Sequence, residues 1–145
     1  MYFNVRVYGL LINEQQEVLL TDEEVKGYRF TKFPGGGVEF GEGLTEALKR
    51  EFIEECNTEI EVISHFYTTD FFVKSAFNDS QIISVYYVVK PVGNLNFNVK
   101  TSVFDFDTQG GNLQSFRWKQ ISDLKAEDVT FPIDQYVVEL LKQLK

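Results

Sequence analysis

The chain has 145 residues, 43% of them apolar and 25% charged. That is the make-up of an ordinary globule, long enough to bury a core and too apolar for disorder. Its formal net charge of −8 and pI near 4.7 disfavour an extended nucleic-acid partner, which needs a basic face. A small anionic substrate fits only where a metal ion or a few local cations receive it.

Cys56 is the single cysteine, so no internal disulfide forms, which suits a reducing compartment. The opening MYFNVRVYGLLI lacks a basic segment ahead of a long apolar one, and no later run is long enough to span a bilayer. The expectation is a cytoplasmic protein without membrane contact. No internal repeat or low-complexity tract breaks the chain, and residues 1–145 read as one domain.

In chain order, Phe3, Val5 and Val7 alternate with Asn4, Arg6 and Tyr8, the period of a half-buried strand. Asn13 to Gln16 reads as a turn and Val18 to Thr21 as a returning strand. Gly27 to Phe33 is an aromatic-rich approach to Pro34-Gly35-Gly36-Gly37, where Pro and consecutive Gly predict a loop. Leu44 to Cys56 is rich in Leu, Ala, Glu, Lys and Arg and predicts a helix. Asn57 is its stop, since Asn tolerates the left-handed conformation. Ile60 to Val73 and Ile82 to Val89 predict strands around a turn at Asn78-Asp79-Ser80. Pro91 to Leu113 predicts a long loop, Phe116 to Ile121 a short strand, and Pro132 the first position of a helix carrying Ile133, Val137, Leu140, Leu141 and Leu144. Strands, helix, strands, helix is an α+β order.

The first helix carries the chemistry. At ~100° per residue from Leu44, Ala47, Leu48 and Phe52 define a core side, Glu51, Glu54 and Glu55 fall within the same stripe, and Arg50 and Ile53 take the other directions. Three carboxylates about 5.5 Å apart repel by roughly 3 kcal/mol per pair at an effective dielectric near 20. They persist there if they reach solvent, take up protons or bind a cation. Oxygen ligands suit Mg²⁺, Mn²⁺ or Ca²⁺, and few protein ligands with substrate phosphates suit Mg²⁺ best. A solvated helix end, with Lys49 and Arg50 pairing the glutamates, is the alternative. Gly35 to Gly37 lets the backbone come close to a bound group and offer it amides or a carbonyl.

Gly36, five residues, Glu42, seven residues, then Arg50-Glu51-Phe52-Ile53-Glu54-Glu55 resembles the Nudix box of the Nudix hydrolases, and Phe33-Pro34-Gly35-Gly36 is also typical of that family. Asn57 stands where the family has Gly, and Thr58 where it has a bulky aliphatic. The resemblance implies a Nudix-type α/β/α sandwich around a mixed β-sheet. It implies Mg²⁺-dependent hydrolysis (Mn²⁺ as an alternative ion) of a diphosphate in a nucleoside diphosphate linked to another group. By position, it makes Glu51, Glu54 and Glu55 the metal-binding carboxylates, with the Gly36 carbonyl as a further ligand. Glu51 or Glu54 would activate the attacking water, Arg50 would hold the glutamates, and Glu42 would brace the loop. The partner implied is a small nucleotide-like diphosphate, and an oligomer is compatible with this reading.

Three departures bear on the substrate. Family members that cleave nucleoside triphosphates tend to have Arg after the second strand's Thr, whereas Thr21 is followed by Asp22-Glu23-Glu24. A carboxylate often precedes the Trp of the last strand, whereas Arg117 precedes Trp118; Asp105 or Asp107 is the candidate replacement. The Pro that ADP-ribose-cleaving members usually carry some sixteen residues past the box is absent, with Lys74 near that place. A non-catalytic Nudix-like module that binds or senses a nucleotide metabolite is the rival reading. Arg29 and Lys32 read first as surface cations and second as candidate phosphate contacts. Tyr28, Phe30 and Phe3 read as core aromatics, His65 as a hydrogen-bonded strand residue, and Cys56 as packing.

Overall fold

The structure, a computed structural model, describes residues 2–144; Met1 and Lys145, part of the expected domain, lie outside the described residues. The strands in chain order are β1 Tyr2–Leu11, β2 Glu17–Val25, β3 Tyr28–Lys32, β4 Gly35–Gly37, β5 Ile60–Thr68, β6 Ser80–Pro91, β7 Val99–Lys100 and β8 Leu113–Gln120. Helix α1 is Leu44–Cys56 and α2 is Pro132–Gln143. The chain divides into two compact units, one built from residues up to Leu11 with Pro34–Asn96, the other from Ile12–Phe33 with Phe97 onward.

The first unit holds a four-stranded sheet in the order β4-β1-β6-β5. β1 runs parallel to β6 from Tyr2↔Ser80 to Leu11↔Val89, while β4 and β5 pair antiparallel at the edges. Helix α1 covers one face, burying Ala47, Leu48, Phe52 and Cys56. Gly9 makes this approach close: a Cβ there would stand 2.6 Å from the Phe52 ring. Fully burying Leu48 and Phe52 contributes about 1.5–3 kcal/mol each. The helix stops where the sequence predicts. Asn57 is left-handed (φ 48°, ψ 38°), its N–H donates to Ile53 O (3.1 Å) and the next N–H, of Thr58, to Phe52 O (3.3 Å). Thr58 is fully buried and its hydroxyl donates to the Cys56 carbonyl at 2.8 Å, which accounts for a polar residue at a position expected to be aliphatic. His65 Nε2 lies 2.8 Å from Thr68 Oγ1, the hydrogen-bonded strand histidine expected.

The second unit holds the sheet β3-β2-β8-β7, antiparallel except for β7 beside β8. Both sheets are thus mixed, as the α+β reading requires. Its core gathers Leu19, Leu20, Phe33, Leu124, Val137 and Leu141, all at most 2% exposed. Pro132 opens α2, where its missing N–H is not needed. Among the described residues no helix is long and apolar enough to cross a membrane.

Five expectations change. Gly35–Gly37 is a strand, not a loop, because it pairs with β1 at separations only glycine permits: a Cβ on Gly35 (φ +147°) would stand 2.1 Å from Val7 O. β2 runs past Thr21 through the acidic stretch, since Arg117 pairs Asp22, Lys32 pairs Glu23 and Arg29 pairs Glu24. The 91–113 loop contains β7, and β5 ends at Thr68. Finally, Phe3 and Tyr28 are exposed (64% and 44%), while Phe30 alone of the three is core, packed at 5.3 Å against Phe131.

Candidate active site

The site lies within the first unit, where β4 meets α1. Antiparallel pairing alternates the direction of backbone groups. Gly9 N–H donates to Pro34 O (2.9 Å) and Val38 N–H to Val5 O (2.9 Å), so Gly36, midway and opposite Val7, turns its N–H and carbonyl toward β1. Gly35 and Gly37 turn theirs toward the open edge, and the Gly37 carbonyl there accepts Arg50 Nη2 at 3.0 Å. Gly36 faces α1: a Cβ on it would stand 2.6 Å from Glu51 Cδ. The residue is glycine because the Glu51 carboxylate rests on the backbone itself.

The chain then turns at Glu39–Glu42, closed by Glu42 N–H to Glu39 O (3.0 Å), with Gly41 supplying the positive φ of +98° that such a turn demands. Glu42 Oε1 accepts the Glu39 N–H at 3.0 Å. Gly43 N–H donates to Glu46 Oε1 (3.1 Å) and starts α1.

Arg50 ties these parts together. Its Nε and Nη2 grip Glu42 (2.6 and 2.9 Å), and its Nη1 reaches Glu51 (3.1 Å) and both oxygens of Glu54 (3.2 and 3.1 Å). Glu39 stands 3.9 Å away. Bidentate, charge-assisted pairing of this kind fixes geometry as well as contributing energy. The Glu42 hydrogen bond, followed by those of Glu54 and Glu51, raises the Arg50 pKa above its ordinary value against the opposing effect of burial. Reciprocally, Arg50 first and the Glu39 backbone second hold the Glu42 carboxyl below the usual carboxylate range.

The helix wheel is corrected in two places. Glu51 is turned inward, its side chain 13% exposed, and Glu55 is half-buried, but Glu54 at the stripe's edge is 53% exposed. Arg50, directed elsewhere by the wheel, bends back across the glutamates, because its long side chain lets it offset their mutual repulsion. Among the described residues, no group of three His, Cys, Asp or Glu side chains is arranged to hold a metal ion as the side chains stand; the carboxylates converge on Arg50 instead. The donor chemistry nonetheless fits a hard divalent cation: it is all oxygen, carried on one helix face, with a carboxylate seated on a backbone strand that has no Cβ to exclude it.

The remaining sequence candidates belong to the second unit. Arg29 is exposed, paired with Glu24 at 2.8 Å and lying over the rings of Phe104 and Phe106 at 5.4 and 5.7 Å. Lys32 is no surface cation. It is 5% exposed, 3.2 Å from Glu23, and donates to Phe33 O at 3.2 Å. Asp105 and Asp107 are exposed; Asp107 pairs with Lys100, whose pKa rises chiefly through that hydrogen bond.

One pairing went unread in the sequence. Asp22, fully buried, receives Arg117 Nε (2.6 Å) and Nη2 (3.1 Å), the Thr31 hydroxyl (2.6 Å) and the Phe104 N–H (3.3 Å). The two departures from the Nudix pattern, at Asp22 and at Arg117, therefore meet in one ion pair. A carboxylate after Thr21 and a cation before Trp118 were the signals that could have joined them.

The NUDIX domain model matches residues 3–141. No curated protein matches the chain in sequence. Similar solved structures include the ORF135 protein of E. coli (TM-score 0.70, 19% identity, 96% of this chain and 88% of that one). A NUDIX hydrolase from Nitrosomonas europaea has TM-score 0.69 and 19% identity, over 94% of this chain and 86% of that one. A MutT protein from Methanosarcina mazei Go1 has TM-score 0.69 and 19% identity, over 97% and 94%. These likenesses establish the fold. The family match supports hydrolase function in general, and Nudix hydrolases generally use divalent metals. The sequence motif, the fold and the domain match agree: the chain belongs to the Nudix family.

Proposed function

We propose that residues 1–145 form one Nudix domain that hydrolyses, with Mg²⁺ or alternatively Mn²⁺, a phosphoanhydride in a nucleoside diphosphate linked to another group. The observation that carries this reading is the Arg50 network, which holds Glu51 against the backbone of Gly36 and Glu54 beside it. Glu51, Glu54 and Glu55 would hold the ion, with a carbonyl of the glycine strand as a further ligand. The ladder spends the Gly36 carbonyl on β1, so the open-edge carbonyl of Gly35 is the better donor. Such a cation, when bound, would neutralise the diphosphate, polarise the attacked phosphorus and acidify water. Glu51 or Glu54 accepts the water proton as the new O–P bond forms and the anhydride P–O bond breaks, the leaving phosphate carrying the displaced electron pair. Arg50 keeps both carboxylates in position and Glu42 keeps Arg50 in position. The proposal extends to a cytoplasmic setting, in keeping with a single cysteine that can form no internal disulfide.

The rival is a binding module without turnover. The observation in its favour is that Arg50 already engages Glu51 and Glu54. Phosphate release from a panel of nucleoside diphosphate derivatives with Mg²⁺ separates the two. Turnover by the native chain and none by Glu54→Gln supports the hydrolase; binding without turnover across the panel supports the module.

A further inference from the structure

Lysines gather at one cavity of the second unit, although the chain carries only 14 Lys and Arg against 22 Asp and Glu. The cavity, about 480 Å³, is lined by Lys119, Ser122, Asp123, Lys125, Asp128 and Lys142. Lys119 comes from β8 and Lys142 from α2, while the other four lie on the segment that joins these elements. The framework is fixed. Leu124 is fully buried and its carbonyl accepts Lys142 Nζ at 2.5 Å, which pins that ammonium to the segment. Asp128 accepts the Lys125 N–H at 2.8 Å and returns its own N–H to the Lys125 carbonyl at 2.9 Å. Lys119 Nζ stands 3.9 Å from Asp128 Oδ2, too far for a hydrogen bond, so its donors are not spent there.

Three ammonium groups against two carboxylates give the cavity one net positive charge in an acidic chain. Among the described residues no hydrogen bond or ion pair engages the Lys125 ammonium, the Ser122 hydroxyl or the Asp123 carboxylate. An ammonium only donates and a carboxylate only accepts. The open groups therefore call for an anion at the lysines and for hydroxyl donors at Asp123. A bare oxyanion meets the first need and is repelled by Asp123; a neutral sugar meets only the second. A phosphate ester of a sugar meets both, and the volume lies within the roughly 300–1,000 Å³ usual for small-molecule sites. We propose that this cavity binds a small sugar phosphate. Its phosphoryl oxygens take the ammonium groups of Lys119, Lys125 and Lys142, and its hydroxyls donate to Asp123 and Ser122. The site stands independently of the hydrolase reading, since its groups belong to the second unit and the glutamates of α1 to the first.

The test is calorimetric titration of the full chain with ribose 5-phosphate, inorganic phosphate and ribose, in buffer containing EDTA to keep divalent ions from the glutamates of α1. Ribose 5-phosphate is expected to bind saturably and more tightly than inorganic phosphate, and ribose not to bind. Lys125 is exposed, so Lys125→Gln should keep the native melting temperature while weakening ribose 5-phosphate about fivefold. Lys90→Gln, which removes the same charge from the first unit, should leave that affinity within about twofold. Asp123→Asn should narrow the preference for ribose 5-phosphate over inorganic phosphate. Absence of saturable ribose 5-phosphate binding, inorganic phosphate bound as tightly by the native chain, or equal losses in Lys125→Gln and Lys90→Gln would each overturn the assignment.

Discussion

Arg50 is the residue on which the acidic end of α1 depends. It is 23% exposed and faces Glu39, Glu42, Glu51 and Glu54. Arg50→Gln leaves those carboxylates to repel one another, and we expect a loss of about 2–3 kcal/mol, less than for a fully buried pair because solvent reaches the group. Added Mg²⁺ should return part of the lost melting temperature to the variant if the carboxylates bind it; an identical loss with and without Mg²⁺ would argue against a cation among them. Glu54→Gln tests the opposite property. The side chain is half in solvent, so stability should stay within about 0.5 kcal/mol, while kcat falls about a hundredfold or more. Glu42 adds a pH signature. Its proton is bound less tightly in the folded chain than in the unfolded one. Its contribution to stability is therefore whole above the ordinary value of 4.5 and is lost as pH falls below it, through the depressed folded pKa. Melting temperatures of native and Glu42→Gln chains should differ at pH 7 and converge toward pH 3.

At the scale of elements, the glycine strand separates structural from functional glycine. Gly35→Ala drives a Cβ into the Val7 carbonyl, and Gly36→Ala drives one into the Glu51 carboxylate, the end of a flexible side chain. The first should unfold the edge of the sheet. The second should leave the melting temperature nearly native and abolish turnover by displacing Glu51; thermal melts and rate assays on the pair check both. This strand also shows where sequence reading stops. Helix α1 was legible from Leu44 to Asn57 because apolar spacing, propensity and a left-handed stop residue all act locally. β4 was not, because three glycines become a strand only when a distant partner accepts them closely. The acidic end of β2 was hidden for the same reason: nothing near Asp22 in the sequence shows the strand continuing past Thr21, because its partner Arg117 lies ninety-five positions on. Replacing Arg117 by Met should cost about 3–5 kcal/mol by stranding a buried charge. The exchanged pair Asp22→Arg with Arg117→Glu should be more stable than either single change, and denaturant unfolding of all four chains would show it.

For the molecule as a whole, a net charge of −8 and a polyanionic substrate are reconciled only if positive charge is supplied at the site. Arg50 supplies it in part but is engaged with carboxylates, so the proposed divalent ion has to carry the rest. The motif spacing made the carboxylate cluster legible in sequence; the inward seat of Glu51, the edge position of Glu54 and the return of Arg50 across them needed the packed helix. The account turns on a divalent ion at Glu51, Glu54 and Glu55. The most direct measurement of that claim is titration of the native chain and of Glu51→Gln with Mn²⁺, followed by electron paramagnetic resonance, alongside Mg²⁺-dependent phosphate release. Stoichiometric binding and turnover in the native chain, both lost in Glu51→Gln, are predicted; equal Mn²⁺ binding by the two chains would contradict it.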